Sequence, residues 1–449
     1  MSRPSSETSL GHPKGLAFIV FTEAWERFSF YGMQALLVLY MTGKLLHPGT
    51  IEEVVGFAGF RVVLEGVFGH LSTQALATQV FGLYGGLIYL SPVLGGLVGD
   101  RLLGRGRAVT LGAIVMAIGH FLMAFEAAFL LALSALIVGC GLLKGNLAAQ
   151  VGDLYVKDDA RRDRAFSIYY LGINVGAFVA PLVCGTLGEL YGWHYGFTAA
   201  GIGMVIGLGV YLYGRRYLPA DVIARGDDES ARLTRDDVPV LAGLAVVLLS
   251  ATLFWTAQSQ VWNTYPLWVR DHLDRHFLFG LTIPVTWFQS VDTFAVLAMA
   301  PLSLWLWRWQ AARGREPGDL LKMATGCAVF ALACVWLGLA EATSGGRPVA
   351  VAWAFAFHFT CAVGYLYVAP IGLALFSRAG PPAVNGMMIG VYYLSLFAGS
   401  VASGWLGRFY ETLTRSQFWL LHAAVVGAGA VILLVLKRPL TRAMRLAPR

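Results

Sequence analysis

Among the ionisable side chains inside long apolar stretches of the chain, Glu23, Glu26, Arg27, Lys144 and Asp292 are the candidates for chemistry. A charge at membrane depth costs about 2.5–3.5 kcal/mol on insertion scales, so it normally faces a protein interior and has a partner. Three of the five stand in Phe21-Thr-Glu-Ala-Trp-Glu-Arg-Phe-Ser-Phe-Tyr-Gly32. On a helix, Glu23, Glu26, Arg27, Phe30, Tyr31 and Gln34 share an arc of roughly 140°. One face therefore carries two carboxylates, a guanidinium, a phenol and an amide, and Glu23 and Arg27, four apart, can pair. Turned to lipid, such a face would be prohibitive, so it lines a cavity or a bundle interface. Groups of this kind can hold and release protons and bind charged solutes. The plainer alternative is a fixed ion-pair cluster that fastens helices together.

Lys144 stands in Gly139-Cys-Gly-Leu-Leu-Lys-Gly-Asn146, about seven residues from the expected end of its helix. It can snorkel to the surface, but Gly141 and Gly145 beside it favour close helix packing and a cavity-facing lysine. Asp292 is placed near the middle of an apolar helix, where a lone carboxylate must be paired or neutral. The turn Gly95-Gly-Leu-Val-Gly-Asp100-Arg101-Leu-Leu-Gly104-Arg105-Gly-Arg107 has glycines to tighten it and an acid able to pair or cap. Asp100, Arg101 and Arg105 are read as a conformational latch rather than a substrate site; an ordinary solvated turn is the alternative.

The elements that must position these residues are set by composition. Of 449 residues, 57% are hydrophobic and 13% charged, and the mean hydropathy is +0.64. A soluble core cannot hide this much apolar surface. Spans of about 20 apolar residues fall at 15–42, 76–98, 107–126, 128–151, 165–187 and 194–214, then at 239–265, 282–309, 319–341, 349–376, 383–407 and 416–436. The expectation is an all-α membrane protein with twelve transmembrane helices in two six-helix bundles: residues 1–214, a cytoplasmic linker at 215–238, and residues 239–449. With both termini cytoplasmic, 24 Lys and Arg fall inside and 7 outside, which favours that orientation. The basic residues are scattered among short loops, so the net charge of +7 does not mark a nucleic-acid surface. The polar stretch Met1–Lys14 is not read as a cleavable signal peptide, because the apolar segment behind it is too long and is charged. Cys140, Cys184, Cys327, Cys334 and Cys361 lie in apolar runs without metal or redox spacing, and are read as small buried hydrophobes.

Two six-helix halves around a central cavity resemble the major facilitator superfamily, and the Asp100-Arg101…Gly104-Arg105 turn resembles its signature loop. Glu23-Ala-Trp-Glu26-Arg27-Phe28…Tyr31-Gly32 resembles the ExxERF motif of the proton-dependent oligopeptide transporter (POT, or PTR) family. Gly141-Leu-Leu-Lys144-Gly-Asn146, followed by Asp163-Arg-Ala-Phe166…Tyr169-Tyr170…Asn174…Phe178…Pro181, is similar to that family's helix 4–5 motif. The N-terminal half matches closely. The C-terminal half matches in outline, through Phe254-Trp255, Ala300-Pro301, Arg315-Glu316-Pro317 and Pro370-Ile-Gly-Leu373.

The resemblance implies proton coupling by Glu23, Glu26, Arg27 and Lys144. It implies a substrate pocket at Arg27, Tyr31, Gln34, Tyr89, Lys144, Asn174, Trp255, Asp292, Tyr365 and Tyr392. Several of these depart from the family pattern. Gln34 stands where an arginine is usual, Ser259 and Tyr365 where helices 7 and 10 usually carry glutamates, Tyr392 for a tryptophan and Asp292 for an asparagine. Gln34 and Ser259 occupy positions resembling an ion-pairing couple at the outer gate, so the loss of both orphans neither charge. The function implied is a proton-coupled symporter, not an enzyme, that imports di- and tripeptides by alternating access. It would be a multi-pass, monomeric protein of the inner (plasma) membrane, driven by the proton gradient without a cofactor or metal. The alternatives are a proton-coupled carrier of a drug-like or anionic solute and, from another class, a non-transporting sensor on the same fold.

Overall fold

A computed structural model describes residues 8–9, 11–156, 159–221, 223, 233–276 and 280–446. Residues 1–7 and 10 of the polar N-terminal stretch, and 222 and 224–232 of the expected linker, lie outside the described residues.

After a two-residue hairpin, β1 (Thr8–Ser9) and β2 (His12–Pro13), everything regular is helical. The helices are α1 (Lys14–Tyr40), α2 (Phe57–Phe68), α3 (Thr73–Val98), α4 (Arg105–Leu122), α5 (Phe129–Asp153), α6 (Arg161–Ala180), α7 (Thr186–Tyr191) and α8 (Trp193–Gly214). They continue with α9 (Val238–Gln258), α10 (Tyr265–His272), α11 (Trp287–Ala311), α12 (Asp319–Ser344), α13 (Val351–Ala379), α14 (Asn385–Gly407), α15 (Arg415–Val435) and α16 (Lys437–Ala443). Among the described residues, ten helical stretches are long and apolar enough to cross a membrane. Of the twelve spans expected, the two not among them are α1, with 27 residues, and α4, with 18. Both have the length, but α1 carries Lys14 and the buried charges and α4 opens with Arg105 and Arg107.

Chain contacts gather into two compact units. One takes in residues up to 73, 87–226 and 284–290; the other takes in 74–86, 227–283 and 291–449. In the first, α1 packs against α6 and α8, and α4 against α5 and α8. Small residues permit the closest approaches. A Cβ on Gly176 of α6 would lie 2.2 Å from the Ala24 carbonyl of α1, so only glycine lets these helices meet beside the charged face. In the second unit, α12 packs against α13 and α15, and α9 against α14 and α15. Tyr265 stacks on Phe357 at 5.0 Å between ring centres, and Trp268 meets Trp419 edge-on at 6.2 Å. Large apolar side chains such as Val138, Ile202 and Leu212 stay exposed along the spanning helices, as a lipid-facing surface requires.

Candidate functional site

The charged face of α1 is buried: Glu23, Glu26, Arg27 and Phe30 are at most 3% exposed and Gln34 is 8%. Arg27 Nε lies 3.1 Å from Glu23 Oε1 and also donates to Glu26 Oε2. From α6, Tyr169 Oη donates to Glu23 Oε2 at 2.7 Å. Glu23 thus has both oxygens engaged. Among the described residues, Glu26 Oε1 and Arg27 Nη2 are buried without any partner. Such orphaned atoms are costly in a dry interior.

Lys144 reaches this group from α5. Its Nζ lies 5.1 Å from the ring centre of Tyr89 on α3 and 5.8 Å from that of Phe30, while Arg27 lies 5.2 Å from Phe30. Glu26 and Arg27 are near enough to act electrostatically on Lys144, yet among the described residues no carboxylate comes within 4.0 Å of it. The lysine is held by aromatic faces rather than by an ion pair. Gly141 sets α5 against α3, where a Cβ would lie 2.9 Å from Ser91. Tyr31 meets Phe30 edge-on at 5.0 Å. Asn174 donates to the Tyr170 carbonyl one turn back, at 2.7 Å.

In the second unit Asp292 departs from expectation. The expected position is near mid-helix; α11 starts at Trp287, after Pro284, so Asp292 sits about 7.5 Å along the helix axis from its first residue. Nor is it alone. Nδ1 of His358, on α13, lies 3.2 Å from Asp292 Oδ1, within hydrogen-bond distance. Nε2 of the fully buried His358 has no partner among the described residues. Tyr265 stands edge-on to the imidazole at 5.0 Å. Trp255 meets Tyr365 at 6.0 Å, Tyr392 Oη reaches the Ala369 carbonyl at 3.4 Å, and Ser259 Oγ pairs with Ser400 Oγ at 3.2 Å.

At the α3–α4 turn, Arg105 Nε donates to Asp100 Oδ1 at 2.9 Å, and its Nη1 reaches both oxygens of Asp153, at 2.8 and 2.7 Å. Arg101 is exposed and forms no ion pair among the described residues. Gly106 N–H donates to Asp221 Oδ1 at 2.6 Å, tying α4 to the segment after α8.

Sequence reasoning missed Tyr169, His358 and Asp153. Asp153 left a signal, because an acid in the last turn of a helix opposes the dipole and calls for a cation. His358 was legible as an imidazole inside an apolar run. Tyr169 gave no sign of its partner on α1.

Buried charges with orphaned atoms, set among helices long and apolar enough to cross a membrane, are the equipment of a membrane transporter. The sequence model of the POT family matches residues 106–227 and 226–420. The chain belongs to the POT family. The peptide transporter YePEPT of Yersinia enterocolitica is 29% identical over 98% of this chain and 97% of its own length. A di-/tripeptide transporter of Lactococcus lactis is 29% identical over 98% of both. The crystal structure of a POT peptide transporter in complex with sulfate agrees with a TM-score of 0.86 at 27% identity, over 97% of each chain. The chain is accordingly a multi-pass membrane transporter with the major facilitator fold.

Proposed function

We propose that this chain is a proton-coupled symporter that imports di- and tripeptides by alternating access. It works as a monomer in the inner (plasma) membrane with both termini cytoplasmic, and the proton gradient takes the place of a cofactor. The observation that carries the reading is the pair of orphaned atoms on α1, Glu26 Oε1 and Arg27 Nη2, near Lys144, which has no carboxylate within 4.0 Å among the described residues. A proton arriving on Glu26 removes its charge and loosens its hold on Arg27. The guanidinium and Lys144 then offer two cations to a peptide carboxylate. Tyr31 and Gln34 on α1, Tyr89 on α3 and Asn174 on α6 shape the pocket. Asp292, with His358 behind it, is the buried carboxylate of the second unit among the described residues, and it takes the peptide amine. Trp255, Tyr365 and Tyr392 supply the aromatic side of that half. The Asp100–Arg105–Asp153 latch, with Arg101 beside it, holds one conformation and releases another.

A second reading, transport of a drug-like or anionic solute, draws on Ser259 and Tyr365, which put no carboxylate where family members usually carry one. Uptake into proteoliposomes under an imposed inward pH gradient separates the two. On the peptide reading, labelled dipeptide accumulates, and unlabelled di- and tripeptides compete while free amino acids do not. Absence of both accumulation and competition would leave the second reading in its place.

A further inference from the structure

The end of the second unit where α12 begins and α13 stops holds a cleft of about 610 Å³. Five cations line it: Arg378 from α13, and Lys437, Arg438, Arg442 and Arg445 from α16 and the turn that ends it. The carboxylate in its lining, Asp319, is already engaged by Arg378 Nη2 at 2.6 Å. Among the described residues no carboxylate comes within 4.0 Å of Lys437, Arg438, Arg442 or Arg445, although Asp237 is near enough to interact electrostatically with Arg445. Arg438 and Arg442 are four apart on one short helix, an arrangement in which like charges repel. A membrane protein needs cations on its cytoplasmic side to fix orientation, but orientation does not require them to converge on one cleft.

Two further features show that the cleft is built rather than a loose basic tail. Met444 is 4% exposed, and a Cβ on Gly243 of α9 would lie 2.7 Å from its Cγ, so α16 is seated on the bundle. Arg445 then adopts φ 53, the one non-glycine residue in the left-handed region among the described residues. It ends α16 with Leu446 N–H bonded to the Thr441 carbonyl (3.0 Å) and its own N–H to the Arg442 carbonyl (3.2 Å). Glycine is the usual occupant of that position. An arginine kept there, spending one donor on the Asp236 carbonyl at 3.2 Å, presents the rest of its guanidinium at the cleft.

The depth of the cleft names its occupant. On α15, Val431, Leu434 and Val435 are 58%, 51% and 72% exposed, a lipid-facing apolar surface. Lys437 and Arg438 follow directly, so the cations begin where acyl chains give way to headgroups. We infer that this cleft binds the phosphate headgroup of an anionic phospholipid, whose acyl chains lie along α15. Basic recesses between helix ends are suited to such headgroups, and phosphate matches the guanidinium fork.

The test uses the full chain in neutral detergent, titrated with phosphatidylglycerol, phosphatidylcholine or inorganic phosphate, with bound adducts read by native mass spectrometry. Phosphatidylglycerol should be retained at least tenfold more tightly than phosphatidylcholine, and less so at high salt. Arg438→Gln with Arg442→Gln should erase that preference. Arg445→Gly, which relieves the left-handed backbone, should melt no lower than the parent without lipid and yet retain phosphatidylglycerol less well. The glycine variant carries the test alone if the double variant does not fold. Equal retention of the two lipids, or an unchanged preference in Arg445→Gly, overturns the proposal. Displacement of phosphatidylglycerol by an equal concentration of inorganic phosphate overturns the lipid assignment in favour of a free-phosphate site.

Discussion

At the scale of single residues, the first unit turns on how unequally its two carboxylates are satisfied. Glu23 has Arg27 on one oxygen and Tyr169 on the other, whereas Glu26 keeps one oxygen bare. Tyr169→Phe removes a hydrogen bond to a charged group, worth about 1.5–3 kcal/mol, and leaves a second bare oxygen. It should lower the melting temperature in detergent and slow gradient-driven uptake; a variant indistinguishable from the parent in both would remove Tyr169 from the account. In the second unit, the proposal that Asp292 takes the peptide amine predicts a selective effect. Asp292→Asn should weaken inhibition by free-amine dipeptides tenfold or more and leave N-acetylated dipeptides nearly unchanged, because only the former lose an ion pair. Equal shifts in matched inhibition curves would make Asp292 a packing residue that serves His358. The carboxylates, guanidinium and lysine of the site were legible in the sequence because each breaks an apolar run. Their pairings were not: Tyr169 and His358 are brought in over 146 and 66 residues of chain, and no local spacing encodes such contacts.

At the scale of elements, helix existence was easier to read than helix ends. Length and apolarity found the spanning segments, but the start of α11 was set five residues early, and that error alone moved Asp292 from the second turn to mid-helix. Short helices are not legible in this way, among them α2, α10 and α16, which at 12, 8 and 7 residues are shorter than a span. Glycine patterning was more informative. The approach of α6 to α1 runs through Gly176, whose absent Cβ would strike the Ala24 carbonyl and lie 2.9 Å from Arg27 Cβ. Gly176→Ala must push the helices apart where the charged face is held, a forced overpacking that costs about 1–3 kcal/mol. The expected outcome is a lower melting temperature together with a larger loss of uptake than of peptide binding. Full uptake at unchanged stability would show that the contact has room to give.

At the scale of the whole molecule, orientation and energy supply decide what the transporter can do. The distribution of 24 Lys and Arg against 7 favours cytoplasmic termini. All five native cysteines are buried and unpaired, so added ones can be labelled selectively. In intact cells a membrane-impermeant maleimide should modify Lys44→Cys and spare a cysteine added after Arg449; the reverse pattern would invert the topology. One proton entering down 100 mV supplies about 2.3 kcal/mol, enough for roughly 50-fold accumulation of a neutral peptide. Under the proposed function, peptide and proton move together through the α1 group, a coupling open to direct test. It is met most directly by loading proteoliposomes without a pH gradient, imposing an inward dipeptide gradient under a voltage clamp by valinomycin, and following lumenal pH with a trapped dye. The account predicts that dipeptide alone acidifies the lumen, and that Glu26→Gln abolishes the acidification while dipeptide counterflow continues. Dipeptide entry with no change in lumenal pH, or acidification that persists in Glu26→Gln, would contradict it.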